Sequence, residues 1–453
     1  MKRLAMNVKS KVYVIILLGL FLSTILSFYY VSTYDAYEIY TDLSKRHQMI
    51  KSDAGKFWYF ANELKEDINK GINFFETGTD YRIPYLPEKI LYFLSSLINL
   101  ELYNESGNVN LDKKKVLILI FQAIFYYLSV LFFYKGIKNI YPDRAVLFII
   151  CFLCFEPTLL LFHSSFWSES IFFSMQLIFL TLLIKNTNKF SINFIAGILL
   201  GLLLLQRSVS MFYIFPVILY FMIIFKKQFV KPSVFLIIGY LIVIAFLGYH
   251  NLSRSGVFYV SPSQSKDGFY MYMLPSLVSK KQNISTVKAS EKLLNEENMW
   301  IKEQNLDLKD EKDLLKYYNH VQKKSLKFMI ENPVLTIEHI IKKTMHFYVL
   351  DPLRHVHFFY KYEYRSNKYS STHQRLIPLR IVYSLFIYVI CIIGFFVLLK
   401  PNKNNHLTII LFSIIYFSIT SSWIGNTRYF APCLIYLSIL FGNGLNYLSN
   451  FKR

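Results

Sequence analysis

Five ionisable residues lie inside or at the ends of long apolar runs: Glu156, Glu169, Arg207, Arg380 and Arg428. Charge at membrane depth is expensive, so each is a functional candidate by default. An arginine at head-group level presents a planar fork of donors that matches phosphate oxygens, which suits stabilisation of a departing phosphate. The alternative for Arg207, Arg380 and Arg428 is snorkelling to lipid phosphates, which needs no substrate. Glu169 has no such attraction to lipid and is expected to face a polar cavity, while Glu156 stands beside Pro157, which can bend its helix. Asp53, in Ser52-Asp53-Ala54, precedes a helix-like run. A carboxylate there can take the proton of an attacking hydroxyl, or simply cap the helix. His250 and Asn251 end another apolar run and could bond sugar hydroxyls; equally, Asn251 could cap loop backbone.

The elements that must position these residues are membrane helices. The chain has 453 residues, 54% hydrophobic, 18% aromatic and only 17% charged, with a mean hydropathy of +0.34. Soluble domains carry about 25% charged residues and disordered chains fewer apolar ones, so both classes are excluded. The four cysteines, Cys151, Cys154, Cys391 and Cys433, all fall in apolar runs and read as small buried hydrophobes. The Cys-x-x-Cys at 151 to 154 lacks partner ligands for zinc. No certain cofactor is implied; a divalent metal stays open but is not indicated.

Ten runs are long and apolar enough to span, at 12–32, 114–134, 145–163, 167–184, 190–206, 208–225, 232–250, 377–399, 406–424 and 429–448. The first reads as an uncleaved signal anchor, since no Ala-x-Ala-like site follows it. Basic residues crowd one side: the segments expected in the cytoplasm hold sixteen basic residues against one acid, Asp143, whereas 33–113 holds nine basic and thirteen acidic residues and 251–375 is mixed. Both termini are therefore expected inside, with two large extracytoplasmic loops at 33–113 and 251–375. Pro87 to Tyr103 is apolar but short and flanked by charge; spanning would invert the charge pattern, so it is expected on the outer surface or as a re-entrant helix. The long loop predicts helices over 310–331 and from Pro333 to about Tyr348, separated at Asn332-Pro333. Cytoplasmic loops of about ten residues or fewer leave no room for a nucleotide-binding domain, and no nucleic-acid partner is expected. The chain divides into a module at 1–250, the outer loop at 251–375 and a three-helix segment at 376–453.

A family pattern runs through these residues. Asp53-Ala54 leads a helix with Ala61, followed by Arg82-Ile83-Pro84-Tyr85-Leu86-Pro87. Then come Pro157, Trp167-Ser168-Glu169-Ser170, Gly197 to Gly201 leading to Gln206-Arg207, His250-Asn251 with Gly256, and Arg428-Tyr429 with Pro432. In order and topology this resembles the GT-C superfamily of polyprenyl-phosphate-sugar-dependent glycosyltransferases, in particular family 39 with the protein O-mannosyltransferases and the lipid A aminoarabinose transferases. The mannosyltransferases carry an Asp-Glu pair where this chain has Asp53-Ala54, and no Asp-x-Asp is present.

The resemblance implies an all-α polytopic membrane protein with a GT-C-like bundle. It further implies a multi-pass plasma-membrane enzyme with an extracytoplasmic site that moves a sugar from a polyprenyl-phosphate donor to a hydroxyl on a glycan, lipid or protein. Asp53 would be the base of an inverting displacement. Arg82, Glu169, Arg207, His250, Asn251, Arg428 and Tyr429 would bind donor or substrate. Asp35 is the second choice of base. An O-antigen polymerase or ligase is the rival enzyme reading, and a flippase for lipid-linked sugars the rival of another class; a transporter would usually show inverted repeats and ionisable groups near the midplane.

Overall fold

In the computed structural model the described residues are 7–33, 53–72, 85–100, 114–166, 168–185, 189–260, 264–308, 310–349, 371–399, 406–421 and 430–451. Lipid offers no hydrogen-bond partner, so an apolar run must satisfy its backbone internally, and each of the ten apolar runs carries helix. The apolar helices are α1 (Val8–Thr33), α4 (Lys115–Ile137), α5 (Asp143–Phe155) with α6 (Pro157–His163), α7 (Glu169–Ile184), α8 (Phe190–Gln206), α9 (Ile214–Phe225), α10 (Val230–Ser255), α16 (Ser371–Leu398), α17 (Leu407–Ser421) and α18 (Ala431–Phe451). Two short helices, α2 (Asp53–Asn69) and α3 (Tyr85–Leu97), follow α1, and α11 (Gln264–Tyr272), α12 (Leu274–Gln282), α13 (Thr286–Glu303), α14 (Glu311–Glu331) and α15 (Pro333–Val349) fill the long loop.

Among the described residues six helical segments are long and apolar enough to cross a membrane, or seven if α5 and α6, bent by 50°, make one span. The apolar helices α7, α8 and α17 have 16, 17 and 15 residues. At 1.5 Å per residue even α8 reaches only about 25 Å, short of a hydrocarbon core of about 30 Å. The break between α5 and α6 follows from its residues. Pro157 starts α6, and Glu156, 4% exposed, caps it: Oε2 accepts from the Leu159 N–H at 2.9 Å and Oε1 from the Thr158 hydroxyl at 3.1 Å. Glu156 thus works on its own backbone. The segment beginning at Pro87 forms α3, 13 residues long. At about 20 Å it cannot span; it packs on α2, α4 and α8 and turns Phe93 and Leu97 outward.

Without a hydrophobic drive between helices in lipid, contact depends on close approach of small residues. Gly197 on α8 and Gly239 on α10 each face backbone of the other helix, and Gly394 on α16 and Gly444 on α18 do the same. A Cβ on Gly394 would overlap the Leu440 carbonyl oxygen, and one on Gly444 that of Ile390. Gly394→Val should therefore force α16 and α18 apart, costing about 1–3 kcal/mol, the usual toll of overpacking. The check is thermal unfolding in detergent. Val382→Ala, on the exposed side of α16, should melt like the parent, and an unchanged Gly394→Val would disprove the close contact.

Helices α11 to α14 close a second, smaller core of Tyr270, Leu274, Val278, Leu293, Leu314, Tyr318 and Val321. Ser285 and Asp310 cap α13 and α14 through the Lys288 and Asp313 N–H groups. Buried Glu297 joins α13 to α14, meeting Lys324 Nζ at 2.5 Å and His320 Nε2 at 3.2 Å, with Trp300 stacked on His320. The helices expected at 310–331 and from Pro333 are α14 and α15, parted at Asn332-Pro333.

His339 on α15 is 2% exposed. Burial, then Lys343, Lys280 and Lys342, push its imidazole down to about 4, with Glu338 opposing. The unfolded imidazole titrates near 6.5. Between these values the unfolded chain binds more protons, so His339's share of stability is complete above about pH 6.5 and lost as pH falls towards about 4. Melting of the loop helices should follow that slope, and His339→Gln should flatten it; an equal slope in the variant would contradict this account.

Candidate active site

Helices α7 and α8 are antiparallel neighbours joined by a short connection, so the start of one and the end of the other meet. Glu169 is the first residue of α7, and Arg207 leaves α8 in extended conformation before a 3-10 turn at Ser208–Ser210. Their side chains form an ion pair, with Arg207 7% exposed and Glu169 fully buried. The guanidinium also lies 5.8 Å from the Phe172 ring, and Ser168 Oγ donates to Glu169 Oε2 at 3.3 Å. Snorkelling does not describe this arginine, because its charge is met by a carboxylate inside the bundle. In a low-dielectric setting such a pair is costly to break from either side.

Beside the pair a small, half-open cleft lies between α2, α3, α4, α7 and α8. Its walls are apolar, among them Phe57, Leu91, Leu94, Ile118 and Phe166, and its polar groups are Gln122, Ser168 and Gln206. Gln206 Nε2 donates to the Ser168 carbonyl at 2.9 Å, which ties the end of α8 to the start of α7. Its own amide oxygen is buried with no partner among the described residues. Ser168 and Gln206 directly precede Glu169 and Arg207 in the chain, so the polar edge of the cleft adjoins the ion pair. The arrangement can receive a molecule with an apolar body and an anionic or hydroxyl-rich end.

Asp53 is the first residue of α2, and its side chain lies outside those described. Phe57, four residues on and therefore on the same helical face, lines the cleft. His250, 3% exposed, packs edge-to-face with the Tyr85 ring, centroids 5.1 Å apart, where α3 meets α10. Asn251 Nδ2 donates to the Tyr259 carbonyl at 2.7 Å, the backbone-capping alternative for this residue. Arg82, Arg428 and Tyr429 lie outside the described residues, as do Asp35 and Trp167. Among the described residues no three His, Cys, Asp or Glu side chains gather as metal ligands.

Gln122 and His163 are not among the candidates that the sequence pattern marks. His163 ends α6 wholly buried: Nδ1 pairs with Ser170 Oγ at 2.9 Å and the ring stacks on Tyr126 at 3.5 Å. The signal that marks both is a neutral polar residue within an apolar run, 114–134 for Gln122 and 145–163 for His163.

Residues 109–250, about a third of the chain, match the family described as dolichyl-phosphate-mannose-protein mannosyltransferase. Among solved structures, the archaeal oligosaccharyltransferase AglB from Archaeoglobus fulgidus, in complex with an inhibitory peptide and a dolichol-phosphate, superposes with a TM-score of 0.50 at 13% identity, covering 96% of this chain and 50% of that chain. The A. fulgidus oligosaccharyltransferase tethered with an acceptor peptide containing the NVT sequon gives a TM-score of 0.50 at 14% identity, with the same coverage of both chains. The chain thus spans about half the length of that enzyme. No curated protein sequence matches it significantly. At such identities the likeness is one of fold: the described residues are all-helical, with a GT-C-like architecture and several helices long and apolar enough to cross a membrane, and together with the family match over 109–250 this bears out the resemblance to that superfamily.

Proposed function

We propose that this chain, GT-C-like in fold, is a glycosyltransferase that moves a sugar from a polyprenyl-phosphate donor to a hydroxyl of a cell-envelope glycan, lipid or protein. The observation that carries the reading is the apolar cleft whose polar edge, Gln122, Ser168 and Gln206, adjoins the buried Glu169–Arg207 pair. A lipid-linked donor has the same two-part character: isoprenoid against the walls, phosphate and sugar towards the charges. The mannosyltransferase match over 109–250 supports it, since that segment contains the α7–α8 pair and the Gln122 wall.

In the proposed reaction Asp53 accepts the hydroxyl proton as the acceptor oxygen bonds to the anomeric carbon. The carbon–phosphate-oxygen bond breaks with inversion, and the freed polyprenyl phosphate carries the negative charge. Arg207, with Arg428, would stabilise that charge through charge-assisted hydrogen bonds. Glu169 holds the Arg207 fork in place, while Arg82, His250 and Tyr429 would contact donor or acceptor. Asn251, already bonded to Tyr259, acts there by fixing the chain beyond α10.

The direct test incubates the purified protein with radiolabelled polyprenyl-phosphate sugars and a cell-envelope extract. Labelled product is the expected result, and its absence across a panel of donors would sink the proposal. The site is placed at the outer face of the plasma membrane on the charge distribution of the loops. Cysteines introduced as Lys56→Cys and Lys302→Cys should accordingly react with an impermeant maleimide in intact cells; if neither does, the orientation is reversed.

A further inference from the structure

Helix α15 has two unlike faces. On one, Thr336 Oγ1 donates to the Met329 and Asn332 carbonyls at 3.2 and 2.9 Å, and His339 Nδ1 lies 3.4 Å from Ser276 Oγ on α12. These contacts fix the rotation of the helix against α12 and α14. On the face turned away, Val334, Ile337, Ile341 and Met345 are 79%, 57%, 57% and 63% exposed. Their spacings of three and four residues set them in one stripe along the helix. A contiguous row of large apolar side chains is uncommon on a water-facing surface and marks a contact.

The C-terminal end of the stripe indicates what covers it. Tyr348, three residues past Met345, is fastened to the membrane helices: its hydroxyl bonds Ser418 on α17, and its carbonyl accepts from the Tyr388 hydroxyl on α16 at 2.7 Å. Its ring packs on Tyr388 and Phe430. Val389 and Ile419, next in sequence to Tyr388 and Ser418, are exposed on apolar helices, of which α16 is long and apolar enough to cross a membrane. The stripe therefore ends at lipid depth. Charge agrees with this. Glu338, the acid bordering the stripe, is neutralised by Lys280 Nζ at 2.9 Å, and exposed Lys342 follows Ile341 at the stripe's edge.

We propose that α15 is an interfacial helix whose Val334–Met345 stripe lies in the boundary between head groups and acyl chains, with Lys342 at the level of the lipid phosphates. An amphipathic helix with its apolar face in that boundary and a basic residue beside it is a stable arrangement on a phospholipid leaflet. Because the opposite face of α15 grips α12 and α14, the helix seats the whole α11–α15 group on the lipid surface at fixed height. The occupant of the stripe is thus the bilayer that already surrounds α16 and α17, and the inference does not depend on the transfer reaction.

The test uses the full chain in liposomes, with one fluorophore-bearing cysteine at a time at Ile337, Ile341 or, as a control, exposed Lys288 on α13, in a background without the four native cysteines. Labels at 337 and 341 should lose most of their emission to a nitroxide carried near the head of the lipid acyl chain and be protected from aqueous iodide; the label at 288 should behave the opposite way. Iodide quenching at 337 and 341 would place the stripe in water and overturn the proposal. Protection from both quenchers would also overturn it, by showing that protein, such as a second copy of the chain, covers the stripe.

Discussion

Asp53→Asn is expected to leave a folded protein that binds its donor normally and transfers sugar about 100-fold to 10,000-fold more slowly, the usual loss when a positioned general base is removed. The motivation is positional: Asp53 opens α2, and Phe57, on the same helical face, lines the cleft. The competing role is helix capping, and the substitution separates the two. Asparagine caps about as well as aspartate, so a purely structural Asp53 would lose little. What asparagine cannot do is accept a proton. Single-turnover transfer from a radiolabelled donor measures the chemical step, and donor binding by equilibrium filtration measures the rest. Asp35→Asn is the control and should transfer near the parent rate. Should Asp35→Asn be dead and Asp53→Asn active, the base is misassigned by one acidic residue; if both stay active, no aspartate base operates here.

Much of the architecture was legible because lipid allows few solutions. An apolar run of sufficient length must be helix, so all ten runs were readable one by one, as was the bend at Glu156-Pro157. Which face of each helix meets which neighbour was not. Lipid-facing and protein-facing sides are both apolar in a membrane, so polarity does not mark the seam, and glycines such as Gly394 and Gly444 reveal their purpose only when paired. The site divides similarly. The sequence predicts that Glu169 faces a polar cavity, because no lipid attraction holds it, and that Arg207 stands at a helix end. That each is the other's partner, 38 positions apart, required knowing that α7 and α8 run antiparallel in contact. Asn251 shows the limit from the other direction. The types Asn and His suggest hydroxyl recognition, yet the amide is occupied by the Tyr259 carbonyl, a contact local enough to have been foreseen but not to be preferred on sequence alone.

The pairing changes what Arg207 substitutions should do. A rim arginine free to meet phosphate would be dispensable for folding; a buried one is not. Glu169→Met removes the carboxylate that meets the buried guanidinium, and Arg207→Met removes the cation that meets the buried carboxylate, so each alone should cost about 3–5 kcal/mol of stability. The Glu169→Met/Arg207→Met double variant removes both charges and packs comparable volume. Its stability should return to near the parent's or exceed it, since apolar replacement of a whole buried pair is often neutral or stabilising. Thermal unfolding of the four proteins forms a cycle in which the two single losses fail to add, because the residues share one interaction. Activity should not follow stability. If Arg207 meets the donor phosphate, the double variant is well folded and inactive, and Arg207→Lys, which keeps the charge but not the fork, folds while its KM for donor rises. A stable double variant that transfers sugar at the parent rate would reduce the pair to a structural tie between α7 and α8 and move the phosphate site elsewhere along the cleft.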